Sequence, residues 1–398
     1  MEPFVFHNPT RVVFGVGRIR QLGDEVARIG RRALLVTGRG HVRRTGVLER
    51  ALRSLQAASV EVVHFEGVEP NPRMTTCIEA ARRAQEERAE VVVGLGGGSV
   101  IDASKVIAAI PFYEGDPWDM MHDASRPQRP PTRALPVVSV PTLAATGSEM
   151  NAGAVITRLE RREKTYVIAS CLYPRTAVID PALTLSVPRD QTAYGAVDTI
   201  THVTESYFNG ADQAPLQDRM AEAVIRTVIE NAPRAQEHPD DLAARSNLQW
   251  ASVVALNGWV QAGADGSYPV HAIEHVLSGH YDVAHGAGLA VVGLAWMRVA
   301  HRSRLPKYVQ FAERIFGIEA RSAEDERAAL AGIDAYERFL ERIGAPRRLG
   351  DLEIPADAIP RLAEDAIRIY QERDQRLGGI PPLDRKGVED LLGVAARR

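Results

Sequence analysis

Cysteine is nearly absent from this chain. Cys77 and Cys171 are its only two, too few for a disulfide framework and without the paired spacing of a zinc site. Such usage suits a reducing compartment. Charge imbalance is absent too. The formal net charge is −3, so there is no global pull toward nucleic acid or an anionic membrane. No apolar run reaches the length of a membrane span. The first residues, MEPFVF, lack the basic-then-apolar pattern of a signal peptide. No fixed-period repeat or low-complexity tract appears. These absences point to a cytoplasmic protein with no nucleic-acid and no membrane partner. Lysine is scarce as well. Lys105, Lys164, Lys307 and Lys386 are the only ones among 48 basic residues. A lysine that persists against such a bias marks a place where a compact ammonium suits better than a planar guanidinium. Lys105 and Lys164 both fall beside motifs described below.

What is present describes a two-part chain. Its 398 residues suffice for about two domains, and an apolar content of 45% supports a buried core. Residues 4–6 and 11–14 flank a turn at 7–10 and predict a short hairpin. Helical stretches at 17–29, 46–58 and 75–87 alternate with strand-like runs at 33–36, 60–65 and 91–93. That alternation predicts a parallel sheet in an α/β domain. Further strands are expected at 135–140 and 176–179, with a hairpin around 160–163. After about residue 187 strand signals fade and helical segments follow one another to the end. Pro188 therefore divides a nucleotide-binding domain, 1–187, from a helical domain, 188–398.

A glycine-rich stretch and a hydroxyl-bearing stretch each follow a strand. GGGSVIDASK, at 96–105, comes directly after the strand at 91–93. Gly96, Gly97 and Gly98 remove side chains where backbone amides could approach a pyrophosphate. Ser99 and Asp102 have capping-box spacing, which predicts a helix from Ser99 with its positive end at the ligand. A plain glycine turn before a capped helix would read the same way. PTLAATGSE, at 141–149, offers the hydroxyls of Thr142 and Thr146 at a predicted helix start.

Histidine is concentrated. HAIEHVLSGHYDVAHGAG, at 271–288, holds four of the eleven histidines. His271 and His275 share a helix face. His285 would lie about 21 Å from His271 along a continuous helix, so both reach one metal only if the chain folds back. Ser278-Gly279 offers the break. Asp198 and His202, again four apart, add a carboxylate and a third imidazole. The alternative is that neighbours satisfy these histidines within core or surface.

GGGSVIDASK, Thr142 and TGSE at 146–149, Asp198-x3-His202 and His271-x3-His275-x9-His285 together resemble the iron-dependent (group III) alcohol dehydrogenases. The segments 144–151 and 274–289 are most similar to the butanol dehydrogenase-like branch. The resemblance spans the N-terminus to about residue 300; beyond that no motif matches. It implies a Rossmann-like N-terminal domain, an all-α C-terminal domain and one divalent metal, Fe2+ or Zn2+, held by Asp198, His202, His271 and His285. It implies that His275 stands beside the nicotinamide or substrate without ligating, and that the chain forms a homodimer. His280 has no counterpart in the pattern and reads as structural. Lys164 falls near the expected active site. The segment DGSYPV, at 265–270, departs from the family pattern. The implied activity is hydride transfer between a nicotinamide cofactor and a primary alcohol or aldehyde, with a polyol dehydrogenase as the nearer competitor. A dehydroquinate synthase-like lyase would need a dense set of cations and a different first ligand. A metal-free binding protein would have lost a ligand.

Cofactor choice is read from TGRGHVRR, at 37–44. An acid after such a strand commonly selects NAD through the ribose 2′-hydroxyl. Here Gly38 leaves room for a 2′-phosphate and Arg39 can pair with it, so NADP(H) is expected over NAD(H).

Overall fold

The computed structural model describes residues 1–264 and 266–397; Arg398 and Asp265, the first residue of the DGSYPV segment, lie outside the described residues. The strands are β1 (Arg11–Phe14), β2 (Arg32–Gly38), β3 (Glu61–Val68), β4 (Val91–Gly96), β5 (Val137–Pro141), β6 (Gly153–Arg158), β7 (Glu163–Ile168) and β8 (Thr176–Ile179). Six of them form one sheet in the order β1-β8-β5-β4-β2-β3, and every pairing in it is parallel. β6 and β7 form a separate antiparallel hairpin. Between the strands run α1 (Leu22–Ala27), α2 (His41–Arg44), α3 (Val47–Ala57), α4 (Met74–Glu86) and α5 (Gly98–Ala109).

Strand alternation builds two cores. Leu34, Val36 and Val92 pack with α4, α5 and the hairpin on one face. Ala33, Leu35, Val91, Val93 and Leu95 pack with α1 and α3 on the other. Strands covered on both faces are what a parallel sheet requires. From Arg189 onward the regular elements are helical: α6 (Arg189–Asn209), α7 (Pro215–Glu237), α8 (Leu242–Leu256), α9 (Pro269–Tyr281), α10 (His285–Ala300), α11 (Leu305–Phe316), α12 (Glu326–Ile343), α13 (Ile359–Tyr370) and α14 (Arg385–Arg397). They share a third core. No helix among the described residues is long and apolar enough to cross a membrane.

Four local expectations need correction. Residues 4–6 form no strand, and β1 pairs with β8 instead. The turn at 7–10 is pinned by Asn8, which donates to the carbonyls of Met150 (2.8 Å) and Asn257 (3.0 Å). The arm before it therefore lies on the helical part, with Phe6 edge-on to Trp259. The capping box does not form. α5 starts at Gly98 with Gly97 as its cap and no side-chain cap bond. Asp102 turns away, accepting from Ser148 Oγ (2.5 Å) and the Val155 amide (2.8 Å). The stretch 141–149 carries a single 3-10 turn, Ser148–Met150, rather than the start of a helix. Finally, α9 runs straight through Ser278-Gly279. A Cβ at Gly279 would lie 2.5 Å from the Arg162 carbonyl, so this glycine permits close approach to the hairpin. The break comes at Asp282, in the left-handed region at φ 54.

Lys105 explains why a lysine persists there. It is fully buried on α5 and donates to Ser148 Oγ (2.8 Å), Asn151 Oδ1 (3.0 Å) and the Gly153 carbonyl (2.6 Å). Three divergent acceptors suit an ammonium better than a planar fork. Burial lowers its pKa to about 8, against the opposing pull of Asp102 and Glu149. Lys105→Met leaves Ser148 Oγ, Asn151 Oδ1 and the Gly153 carbonyl without this donor. Stability should fall by about 1–3 kcal/mol, read as a lower midpoint in urea denaturation. Lys386→Met, which breaks an exposed pair with Asp390, should leave the midpoint where it is.

Candidate active site

The sheet places the glycine motifs side by side. The chain goes outward from β2 to β3 and returns to β4 on the other flank of β2, so the strand order switches between β2 and β4. Ligands of open α/β sheets sit at such a switch, beyond the carboxyl ends of the strands. Thr37 pairs with Leu95 there, which brings Gly38 and Arg39 next to Gly96, Gly97, Gly98 and Ser99. The three glycines serve different ends. A Cβ at Gly96 would meet Val100 at 2.5 Å, and one at Gly98 would meet Thr146 at 2.4 Å. Both are required by packing inside the protein. A Cβ at Gly97 would meet nothing closer than 3.7 Å. Protein contacts do not demand a glycine at 97, and the space beside the cap of α5 stays open. Thr146 Oγ1 accepts from the Ser148 amide (3.2 Å), Thr142 is buried at the end of β5, and Asp102 braces the same loop through Ser148 rather than facing the crevice.

Across from this edge, four side chains converge. Asp198 and His202 stand one turn apart on α6, His271 on α9, and His285 at the first position of α10. The left-handed residue Asp282 folds α10 back so that His285 returns to His271. The Nε2 atoms of His202, His271 and His285 lie 3.5, 3.7 and 3.8 Å from one atom, Asp198 Oδ1. Asp198 Oδ1 and His271 Nε2 are buried with no hydrogen-bond partner among the described residues. Donors each about 2.1 Å from one ion in tetrahedral arrangement lie about 3.4 Å apart. The spacing and the unpartnered atoms both fit a divalent cation enclosed by this set.

The carboxylates behind the imidazoles orient them. His271 Nδ1 bonds Glu205, which also accepts from the Val270 amide (2.6 Å). His285 Nδ1 bonds Glu274, whose other oxygen takes Ser278 Oγ. His271 and His285 thus keep a proton on Nδ1 and turn Nε2 to the cage, whereas His202 Nδ1 has no partner among the described residues. Glu274, His275 and His285 also cluster as potential ligands, but Glu274 is already occupied and His285 Nε2 points to Asp198. One shared centre is the better reading. Lys164 reaches in from β7, with Nζ 3.4 Å from Glu274 Oε2 and 3.3 Å from His285 Nδ1. Burial raises the pKa of Asp198, but His202, His271 and His285 outweigh it and hold the carboxyl at about 2. Burial lowers His202 to about 4 and, with Lys164, pushes His285 well down. Burial also disfavours the His271 imidazolium, yet Glu205 and Asp198 raise it to about 10. An ionised carboxylate among imidazole nitrogens suits a transition metal, and an entering cation would displace the second proton of His271.

His275 sits one turn beyond His271, its ring centroid 5.4 Å from that of His285. Its Nδ1 lies 2.9 Å from Tyr370 OH on α13, and its Nε2 is buried without a partner among the described residues. His280 pairs with Asp365 at 2.8 Å and is not among the residues around Asp198 Oδ1. Sequence reasoning missed Glu205, Glu274 and Tyr370. Glu205 is seven residues after Asp198 and Glu274 three after His271, so helix periodicity could have found both. Tyr370 lies in the region where no motif was recognised, and nothing local marks it.

A nucleotide-type crevice at the switch point of a parallel sheet, facing a carboxylate–imidazole cage, defines a metal-assisted NAD(P)-dependent oxidoreductase. The chain belongs to the iron-containing alcohol dehydrogenase family, on its butanol dehydrogenase-like branch. The model "Iron-containing alcohol dehydrogenase" matches residues 9–181, and "Fe-containing alcohol dehydrogenase family, C-terminal" matches residues 192–394. NADH-dependent butanol dehydrogenase A of Clostridium acetobutylicum is 38% identical over 99% of each chain. The NADPH-dependent aldehyde reductase YqhD of Escherichia coli is 36% identical over 91% of this chain and 92% of its own length. The crystal structure of NADH-dependent butanol dehydrogenase A from Thermotoga maritima superposes with a TM-score of 0.94 at 40% identity, covering 100% of this chain and 99% of that one.

Glu205→Gln keeps the size of the side chain and removes the charge that holds His271. Metal affinity should fall about 10- to 100-fold in a competition titration with a chromophoric chelator. Unchanged affinity would show that the pair does not support the cage.

Proposed function

We propose that this protein is an alcohol dehydrogenase/aldehyde reductase that moves hydride between NADP(H) and a primary alcohol or aldehyde, using one Fe2+ or Zn2+ held by Asp198, His202, His271 and His285. The observation that carries the reading is the buried Asp198 oxygen, unpartnered among the described residues and ringed by three imidazole Nε2 atoms. A metal ion there supplies a Lewis acid for the substrate oxygen. The nicotinamide supplies the hydride exchange. The chain's own residues do the rest. Gly97 leaves the α5 terminus open to a pyrophosphate. The cage keeps its donors fixed through Glu205 and Glu274. His275, with Nε2 unpartnered among the described residues, takes up or returns the hydroxyl proton. The same reading divides the chain near Pro188 into a cofactor-binding part and a metal-binding part.

Relatives include NADH- and NADPH-dependent enzymes, so the preference for NADP(H) rests on this chain's own loop. Gly38 has room beside it: a Cβ would meet the Val68 carbonyl at 3.4 Å and Val100 at 3.6 Å. Arg39 is exposed, with Nη2 3.1 Å from Glu69, an acid that also accepts from Thr76. A 2′-phosphate competes with Glu69 for that guanidinium with a greater charge and three acceptor oxygens. Arg43 is engaged by Glu66 at 2.5 Å, and His41 lies 3.3 Å from Ser186 Oγ. Arg39 is the better phosphate partner.

Three results are expected. His271→Ala and His285→Ala should lose the metal and turnover while the far-ultraviolet circular dichroism spectrum stays the same; full activity in a metal-stripped sample overturns the reading. His275→Ala should lower kcat with metal stoichiometry unchanged, and loss of the metal would make His275 a ligand instead. In kcat/KM measured with both cofactors, Gly38→Asp and Arg39→Ala should each move the NADP/NAD ratio toward NAD by about ten- to hundredfold. A wild type that prefers NAD would refute the preference.

A further inference from the structure

Tyr370 is the last residue of α13, in the part of the chain that carries no recognised motif. Its ring is buried beside the cage, and its hydroxyl donates to the Lys164 carbonyl at 2.6 Å and lies 2.9 Å from His275 Nδ1. A phenol has one proton, and a carbonyl can only accept. The Tyr370 proton is therefore committed to Lys164, and the hydroxyl oxygen can only accept from His275. His275 Nδ1 must be the donor. A neutral imidazole carries one N–H, so His275 Nε2 is bare. That nitrogen is the buried atom with no partner among the described residues, on a ring 5.4 Å from His285 and 6.1 Å from His271, centroid to centroid.

We propose that Tyr370 is a positioning residue that fixes His275 in the Nδ1–H tautomer, so that a bare Nε2 faces the reacting centre to receive the hydroxyl proton of the alcohol. This rests on the reading of His275 given under Proposed function. In alcohol oxidation the C–H bond leaves as hydride, with its electron pair, to the nicotinamide. The O–H proton passes to His275 Nε2, and the carbonyl forms. The imidazolium then carries protons on both nitrogens, with Nδ1–H still donating to Tyr370, and the Nε2 proton is released to water. In aldehyde reduction the same ring must first take that proton up from water.

Tyr370 is braced well enough for this. Arg368 pairs with Asp365 (3.0 Å) and with Glu163 on β7 (3.0 Å). Asp365 pairs in turn with His280 on α9 (2.8 Å). The Ala124 amide donates to the Ile369 carbonyl (3.0 Å). The Tyr370 ring stacks at 5.9 Å on His122 and 6.3 Å on Tyr166. Two elements that carry other site residues, β7 with Lys164 and α9 with His275, thus also hold α13. The Lys164 backbone accepts from Tyr370 while its ammonium donates to Glu274, the partner of His285.

The test uses zinc-loaded, 15N-histidine-labelled enzyme, with the His275 signals assigned by their loss in His275→Ala. The wild type should show a pyrrole-type Nδ1 and a pyridine-type Nε2. Tyr370→Phe keeps the ring and removes the hydroxyl. It should shift His275 toward the other tautomer, lower kcat about tenfold, and leave KM and zinc content within about twofold. In a His275→Ala background it should change kcat no further. A wild-type His275 protonated at Nε2 overturns the proposal without any variant. An equal loss from Tyr370→Phe with and without His275 overturns it too. If His275→Ala is crippled and Tyr370→Phe is not, only the role of Tyr370 fails. If His275→Ala turns over normally, the reading of His275 itself fails.

Discussion

One buried carboxylate oxygen sets the terms for this structure. Asp198 stands in the middle of a long helix inside the helical core, ionised by the three imidazoles around it. Moving an anion out of water costs several kcal/mol unless partners return that energy. The three imidazoles return only part, and a cation among the four donors would return the rest. Much of the surrounding architecture serves to bring those donors together. Gly286 lets α10 approach the Tyr194 carbonyl of α6, where a Cβ would lie at 2.2 Å. Gly288 makes room for Glu274, the residue that orients His285. The glycines after His285 are there for packing between the three helices that hold the cage.

The two halves of the chain meet on this centre. Lys164 enters from the hairpin of the α/β half and reaches the carboxylate behind His285. Asn71 donates to Asp282 (2.9 Å) and to the Val283 carbonyl (3.1 Å), and Arg73 pairs with Asp282 (2.8 Å). Those bonds hold the left-handed turn that returns His285 to the cage. The place of His285 therefore depends on side chains some two hundred residues earlier in the chain. A movement between the halves would be felt at the site.

The cofactor edge follows a different logic. Its glycine run is one motif in sequence but three different positions in space, two closed by protein atoms and one open. Asp102 shows the same separation between pattern and position. Spacing placed it at a helix terminus, whereas its carboxylate is a brace between α5, Ser148 and β6. Buried hydrogen bonds outweighed a local capping preference because an unpaired carboxylate in the interior costs more than an uncapped helix end.

Local pattern determined most of the architecture. Strands and helices alternate as apolar periodicity predicted, the hairpin closes around 160–163, and helices take over after β8. The pairs Asp198–His202 and His271–His275 were legible because helix spacing fixes which residues share a face. Family resemblance supplied the partition into ligands and non-ligand, which spacing alone left open. Only the tertiary structure decided where α9 ends, since Gly279 signalled a break in sequence but serves close packing on Arg162. It also decided that residues 4–6 leave the sheet, because Asn8 ties their turn to Met150 and Asn257, and a side chain's distant partner is invisible to local pattern. Tyr370 is the fullest case. It reaches His275 from 95 residues away, on a helix whose own sequence is merely amphipathic, and its place is set by contacts with β7 and α9 that exist only once the chain has folded.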